Sequence, residues 1–173
     1  MGFTEEEIAE HAVFSRRASF HRLQNGMADL LNVQLLRKSG TKAELIDFGE
    51  VVLLRVTFRA NVDLPSIGLA YHIRDKNGFD LIYSDTGIER CHVINLRSGE
   101  NIEMDWEFTV TLHEGAYSIA VMLSVPQDLS IGQVEVCDFA PLAVNLQVAR
   151  GTSLPIYAAA YWTNTVTQRR FSN

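Results

Sequence analysis

The sequence is poor in features that mark several large classes of protein. Its 173 residues include two cysteines, Cys91 and Cys137, too few for the disulfide framework on which small secreted domains depend. We expect both thiols to be reduced; a single disulfide bridge between two strands is the alternative. The net charge is -6, and the chain contains no run of lysine and arginine. Because phosphate neutralisation needs clustered cations, nucleic acid is not expected as the main partner.

Long apolar runs and targeting signals are also missing from the sequence. No stretch is apolar for the length that a bilayer requires. The first residues, MGFTEEEIAE, have neither the basic start nor the apolar segment of a secretory signal. Glu6 stands where a myristoylation signal has serine or threonine. We therefore expect a soluble, cytoplasmic domain.

The sequence lacks the common catalytic and phosphate-binding motifs. GxxxxGK[ST], GxSxG, CxxC and HExxH do not occur, and the five histidines have no ligand spacing, so neither a metal nor a cofactor is expected. Glu103, Asp105 and Glu107 could form an acid/base set, but their spacing is also that of a solvated strand face. We expect a protein that is not an enzyme, with a hydrolase as a remote alternative.

The clearest positive signal is an alternation of apolar and polar residues. Every second residue from Ile102 to Leu112 is apolar, which predicts a strand with one buried and one solvated face. The alternation resumes at Tyr117, after a short corner that contains Gly115. A tyrosine at this place suggests the tyrosine corner of immunoglobulin-like sandwiches, and an ordinary hairpin with a core tyrosine is the alternative.

Similar patterns predict further strands along the chain. The predicted strands are residues 28–36, 50–61, 67–75, 81–85, 102–112, 117–125, 132–137 and 142–148. At the amino end, Thr4 and Glu7 form a capping box, followed by a short helix that carries Ile8 and Ala12 and either docks or frays. The prediction is an all-β, immunoglobulin-like β-sandwich with Greek-key order. Residues 1–26 are assigned to a linker and short helix, 27–149 to the sandwich, and 150–173 to a carboxyl-terminal arm.

Polar side chains are predicted to share the outer face of one sheet. They are His72, Arg74, Ser84, Ser118, Met122, Asn145 and Gln147, with Leu81 and Tyr83 assigned to the inner face. Hydroxyl, amide, imidazole and guanidinium groups beside flat apolar surface are typical of sugar recognition. A plain solvated sheet face is the alternative. Arg74, if buried, would suit a phosphate or carboxylate on the ligand.

Several short motifs, taken in order, resemble a known family. They are Gly49 followed by Val56-Thr57-Phe58, the run from Ile67 to Gly78, Ser84-Asp85-Thr86, Leu96 followed by Gly99, and Glu114-Gly115-Ala116-Tyr117-Ser118. Their order and spacing are similar to those of the C-terminal domain of Wzt, the ATP-binding subunit of O-polysaccharide ABC exporters. The resemblance covers residues 28–148.

The resemblance implies a carbohydrate-binding module without its ATPase half. Such a module recognises lipid-linked O-polysaccharide, with its modified non-reducing end as the expected determinant. Its implied partners are the ATPase domain of the same polypeptide and the transporter's membrane subunit, at the inner face of the inner membrane. The alternative function is a structural dimerisation module of the ATPase subunit.

The resemblance also implies a homodimer that exchanges a terminal strand. The candidate residues for that strand are Leu154, Ile156, Tyr157, Tyr161 and Trp162. Exchange would cover an apolar tail that otherwise exposes aromatic side chains. Pairing of the tail within its own chain is the alternative.

Overall fold

The computed structural model describes residues 3–128, 130–152 and 155–169. This part of the chain forms one helix and ten strands. They are α1 (Glu5–Arg17), β1 (Leu23–Gln24), β2 (Ala28–Arg37), β3 (Leu45–Asp47), β4 (Val51–Ala60), β5 (Leu64–Asp75), β6 (Asp80–Asp85), β7 (Val93–Leu96), β8 (Asn101–Thr109), β9 (Gly115–Asp128) and β10 (Gln133–Ala149).

The strands form two layers. The large sheet has the order β1-β10-β9-β5-β6, with β3 beside the end of β10 and β7 beside the start of β5; the small sheet has the order β2-β4-β8. The pairings are antiparallel except for that of β3 with β10. The chain crosses between the layers after each of the first four strands, and again after β7 and after β8. The predicted all-β sandwich with a short amino-terminal helix is confirmed.

The core lies between the two sheets and is built from the predicted inward residues. Val52, Leu54, Val56 and Phe58 of β4 are fully buried, as is Ile119 of β9. Burial of each such side chain contributes about 1.5–3 kcal/mol. Residues between them on the strands face outward, as the period of two requires.

The edge strand of the small sheet is less covered than its alternation suggested. Trp106 and Phe108 of β8 are only partly buried against the core, because β8 has a neighbour on one side only. Their rings contact Tyr71 of the large sheet, with centroids 6.0 and 5.8 Å apart. Burial raises the pKa of Tyr71 to about 12, so this phenol stays neutral.

The chain passes between the sheets through a tyrosine corner. Tyr117 Oη donates to the carbonyl oxygen of His113 at 2.7 Å, where the chain leaves β8 in the small sheet for β9 in the large one. The tyrosine-corner interpretation is therefore confirmed. The hairpin alternative is wrong, because β8 and β9 belong to different sheets.

Helix α1 docks on the sandwich. The capping box is present: Thr4 Oγ1 accepts from the Glu7 amide at 3.2 Å, and Glu7 Oε2 accepts from the Thr4 amide at 2.7 Å. The anchor is Phe14, which is buried in the core together with Ala18, whereas Ile8 is exposed. The helix thus shares the hydrophobic core of the sandwich.

Some boundaries differ from the prediction. Residues 133–149 form the single strand β10, which was predicted as two strands. Its pairing with β9 shifts register between Val136 and Asp138 and between Ala140 and Val144. The sequence pattern is irregular at these positions, which is why two separate strands were predicted. Cys91 and Cys137 are free thiols, and the single bridge that the sequence left open is absent from the described residues.

Candidate functional site

Six of the seven predicted ligand residues lie on the outer face of the large sheet. They are His72, Arg74, Ser118, Met122, Asn145 and Gln147. Asn145 of β10 lies opposite Ser118 of β9, which lies opposite Arg74 of β5, so these three form one row across the sheet. His72 and Gln147 stand two positions along their strands and therefore share the face. The prediction that these six residues share one sheet face is therefore correct.

Ser84 is the exception, and its predicted place is wrong. It pairs with Tyr71 on the inner face, is 6% exposed, and donates to Glu89 Oε1 at 2.6 Å. Its neighbour Tyr83, predicted inward, pairs with His72 on the outer face and is 46% exposed. In the short strand β6 the adjacent residues Leu81 and Ile82 are both apolar, so the alternation had no readable phase.

A polar cluster occupies the β5–β6 side of this face. Arg74 Nε donates to Asp80 Oδ1 at 2.5 Å, and His72 Nδ1 lies 3.2 Å from Asp80 Oδ2. The hydrogen bond from Arg74 is the main cause of a lowered pKa for Asp80, which therefore stays ionised. His72 Nδ1 is buried and makes no hydrogen bond of good geometry, so a polar atom remains to be satisfied at this point.

The charge of Arg74 is compensated. Besides the ion pair with Asp80, its guanidinium lies over the ring of Phe139, 5.8 Å from the centroid. A guanidinium held this way presents its remaining N–H groups as positioned donors. The arrangement therefore suits a neutral hydroxyl better than the bare anion that the sequence suggested for Arg74.

A groove of about 440 Å³ opens beside the row of Arg74, Ser118 and Asn145. Its lining is Phe20, His21, Arg74, Asp75, Lys76, Gly78, Ala116, Tyr117, Ser118, Pro141, Leu142 and Asn145. A neighbouring groove of about 510 Å³ shares Asn145 with it and extends to Gln147, Arg17 and Glu44. Together they form a concavity over the β9–β10 part of the face, which we call the main groove.

One wall of the main groove is the loop after α1. Phe20 and His21 of this loop line it, and sequence reasoning missed both because residues 1–26 were assigned to a linker. The loop is fixed by Arg22, whose Nη2 lies 2.6 Å from Asp138 Oδ2 and 2.7 Å from the carbonyl oxygen of Leu30. Asp138 is fully buried and also accepts from the Leu30 amide at 2.7 Å.

A bulge in β10 forms another wall of the main groove. The register with β9 shifts between Ala140 and Val144, and the intervening Pro141 and Leu142 line the main groove. Proline has no amide hydrogen for a strand ladder, so a bulge is where a strand tolerates it. Pro141, which stands between two of the predicted strands, was the sequence signal for this wall.

A second groove of about 390 Å³ lies at the other end of the same face. Met122 lines it with Tyr83, Asp85 and His92. The Tyr83 hydroxyl donates a hydrogen bond to Asp85. Burial, and to a lesser extent this hydrogen bond, raises the pKa of Tyr83 to about 12. Ser118 and Met122 are four residues apart on β9, or about 13 Å. The predicted ligand residues are thus divided between two grooves on one surface.

The predicted exchange strand contacts its own chain. The Tyr161 amide donates to the Thr111 carbonyl at 2.8 Å, and the His113 amide donates to the Ala159 carbonyl at 2.9 Å. Ile156 contributes to a small cavity beside Leu112, whereas Tyr157, Tyr161 and Trp162 are exposed. Leu154 lies outside the described residues. Exchange with a partner stays a prediction.

The carboxylates considered as an acid/base set lie on the small sheet. Asp105 accepts from Arg55 at 2.8 Å, and Glu107 lies 3.3 Å from Lys38. This is the solvated row that the strand spacing predicted. Among the described residues, no group of three or more His, Cys, Asp or Glu could hold a metal ion, and no helix has the length and apolar character to cross a membrane.

Comparison with known proteins identifies a family. The Wzt C-terminal domain family matches residues 19–160. A crystal structure of the C-terminal domain of Wzt superposes with a TM-score of 0.74 at 13% identity, covering 86% of this chain and 88% of that one. At this identity the superposition shows the shared fold. No curated protein matches the chain.

Other solved structures are more distant. The CARDB domain of a Pyrococcus furiosus protein in complex with di-metal ions has a TM-score of 0.40 at 16% identity, covering 73% of this chain and 93% of that one. A Niemann-Pick type C2 protein from the Japanese carpenter ant has a TM-score of 0.44 at 13% identity, covering 75% and 100%. Neither carries functional information for this chain.

Proposed function

Because the chain belongs to the Wzt C-terminal domain family, we propose that it is a non-catalytic module that recognises lipid-linked O-polysaccharide for export by an ABC transporter. The recognised feature is the modified non-reducing end of the polymer. The outer face of the large sheet is the binding surface, and the main groove is where the terminal sugars lie.

One observation carries this proposal. The row of Arg74, Ser118 and Asn145 places a guanidinium, a hydroxyl and an amide on three adjacent strands at the floor of the main groove. Neighbouring strands are about 4.8 Å apart, so the row presents donors and acceptors at a spacing that ring hydroxyls can meet. Rigid strands hold these groups before the ligand arrives, which lowers the entropic cost of binding.

The charge balance supports a sugar as the ligand. Arg74 is paired with Asp80, and the Asp75 carboxylate accepts from the amides of Asn77 and Phe79, which lowers its pKa. Groups satisfied in this way bind neutral hydroxyls without leaving an uncompensated charge. Half-buried His72, whose Nδ1 lies 3.2 Å from Asp80 Oδ2, adds an imidazole to the same face.

The module has two classes of partner in this proposal. The ATPase domain of the same polypeptide and the membrane subunit of the transporter place it at the cytoplasmic side of the inner membrane. A second copy binds through the tail, where Tyr157, Trp162 and Val166 are exposed large side chains. Exchange of this segment would bury apolar surface that the single chain leaves in water.

Dimerisation is the second candidate function. The edge strand β8 has one neighbour in the small sheet, and an edge of this kind can accept a strand from another copy. If assembly were the main role, removal of residues 154–173 would abolish function by producing monomers. If a monomeric truncation bound polysaccharide normally, assembly would be secondary.

The test is a calorimetric titration with O-polysaccharide released by mild acid from the organism's own lipopolysaccharide. We expect saturable binding by the intact chain and about 10–100-fold weaker binding by Arg74→Ala, since hydrogen bonds to charged groups contribute about 1.5–3 kcal/mol. We expect His72→Ala to weaken binding as well. The same polymer trimmed at its non-reducing end should bind more weakly.

Arg55→Ala is the matched control. Arg55 makes an arginine–aspartate pair with Asp105 on the outer face of the small sheet, as Arg74 does with Asp80 on the large one. We expect Arg55→Ala to leave affinity unchanged. Absence of binding by the intact chain, or equal binding of matched and unrelated polysaccharides, would contradict the proposal, and thermal unfolding of each variant checks that it is folded.

A further inference from the structure

We propose that Phe20 is the aromatic platform of the main groove, on which the C–H face of a neutral sugar ring stacks. The loop after α1 is therefore part of the binding site. This inference rests on the proposed polysaccharide-binding function and adds to it the residue that orients the ring and the neutral character of the sugar that it receives.

The position of Phe20 is the first observation. Its side chain is 60% exposed and lines the main groove with Arg74, Ser118 and Asn145. A single exposed aromatic residue is common on protein surfaces. Phe20, however, stands beside a floor of hydroxyl, amide and guanidinium groups. Sugar sites combine an apolar face with a few positioned polar groups, and Phe20 supplies the aromatic element that the predicted residues lacked.

The loop is held firmly at both ends. At its start, the Ala18 amide donates to the Phe14 carbonyl at 2.8 Å, and both side chains are buried in the core. At its end, Arg22 is bound to the buried carboxylate of Asp138 at 2.6 Å. Phe20 lies between these anchors, so its ring is positioned without a ligand and little ordering is left to oppose binding.

The backbone of the loop adopts an unfavourable conformation next to Phe20. His21 has a φ of 51°, in the left-handed region that non-glycine residues rarely occupy. Its ring lies 4.1 Å from the Phe20 ring, centroid to centroid, at an interplanar angle of 72°. This edge-to-face packing fixes the orientation of Phe20. Strain of this kind tends to persist where the geometry serves a function.

The charges around Phe20 favour a neutral ring. Arg74 is paired with Asp80, and Asp75 accepts from two backbone amides, while Lys76 is exposed at the rim. A ligand with a bare anion would find Arg74 already compensated, and an aromatic face repels negative charge. A sugar ring has hydroxyl groups on its edge and C–H groups on its face. It can therefore hydrogen-bond to the polar floor of the groove and stack on Phe20 at the wall.

The experiment compares four variants in the same titration with released O-polysaccharide. We expect Phe20→Ala and Phe20→Leu to bind about tenfold more weakly, because the aromatic face is lost in both. Phe20→Trp should stay within about twofold of the intact chain. Phe79→Ala is the matched control: Phe79 is 68% exposed at the same end of the sheet, but it does not line the groove.

The outcomes separate this inference from the proposed function. If the intact chain binds and both Phe20→Ala and Phe20→Leu bind equally well, Phe20 has no role in binding. The proposed polysaccharide-binding function would still stand. Loss in Phe79→Ala equal to that in Phe20→Ala would overturn the role of Phe20 too. No binding by the intact chain would overturn both proposals. Thermal unfolding within a few degrees of the intact chain excludes a folding defect, and the leucine variant remains decisive if the alanine variant is unstable.

Discussion

The outer faces of the two sheets arise from the same alternation of residues and differ in what surrounds them. On the small sheet, Arg55 is paired with Asp105 at 2.8 Å and lies 3.3 Å from Glu103, while Lys38 lies 3.3 Å from Glu107. These are cross-strand ion pairs on an exposed surface, where such pairs contribute little. The large sheet instead has a concave face with two built walls.

The difference shows that polar outward residues do not by themselves make a site. The large face has a floor of mostly neutral groups, a wall from the loop after α1 and a wall from the bulge at Pro141 and Leu142. Water is excluded and ligand groups are oriented only where such walls exist.

The anchor of the α1 loop should be far more important to stability than the ion pairs of the small face. Asp138 is fully buried and accepts from Arg22 and the Leu30 amide, so Asp138→Ala leaves a buried guanidinium without its partner. We expect a loss of about 3–5 kcal/mol in the free energy of unfolding. Asp105→Ala, on the small face, should cost at most about 1 kcal/mol. Urea denaturation measures both, and equal losses would contradict the contrast.

The affinity for polysaccharide should depend on the side-chain amide of an asparagine on the large sheet and not on that of an asparagine on the small sheet. Asn145 lies on the floor of the main groove, and Asn101 of β8 accepts from Arg59 Nε at 2.9 Å on the small sheet. We expect Asn145→Ala to bind released O-polysaccharide about tenfold more weakly, equivalent to about 1.4 kcal/mol. Asn101→Ala should bind normally in the same titration. A loss of affinity with Asn101→Ala and not with Asn145→Ala would place the ligand on the small sheet and contradict the proposed site.

The corner that joins the two sheets should make a modest contribution. Tyr117→Phe removes the hydrogen bond from Tyr117 Oη to the His113 carbonyl and keeps the buried ring. We expect a loss of about 1 kcal/mol in the free energy of unfolding. Chemical denaturation of the two proteins side by side gives the difference. An unchanged midpoint would mean that the corner is held by packing alone.

The smallest expected effect is on the stability of the fold at acid pH. Asp80 has a pKa below its ordinary value because Arg74 donates to it, so its ionised form stabilises the fold. This contribution is complete above the unfolded-state pKa of about 3.9 and is lost as the pH falls through the lower folded-state value. The stability difference between the intact chain and Asp80→Asn should therefore shrink below about pH 4. In an Arg74→Ala background, the same comparison should show little pH dependence.

Much of the fold was readable from the sequence because its strands alternate clearly. The period of two in β4, β8 and β9 gave the buried face of each strand, and Tyr117 marked the crossing between sheets. The short strands β1, β3 and β7 were not predicted, since two to four residues cannot show a period. In β6 the neighbouring apolar pair Leu81 and Ile82 reversed the assignment of Ser84 and Tyr83.

The floor of the site was predictable and its walls were not. The row of Arg74, Ser118 and Asn145 follows from strand parity and order, which are local patterns. The wall at Phe20 depends on the ion pair between Arg22 and Asp138, which joins residues 116 positions apart in the chain. Contacts of that range leave no local signal, so the loop looked like a linker. Pro141 was visible, but a bulge and a strand end give the same signal.

The most direct test is an amide NMR titration of the intact chain with released O-polysaccharide. We expect chemical-shift changes at outer-face positions of β5, β9 and β10 and in residues 17–22, with β4 and β8 unchanged. Changes confined to β4, β8 or the tail, or no change at saturating polysaccharide, would contradict the assignment of the large face as the binding surface.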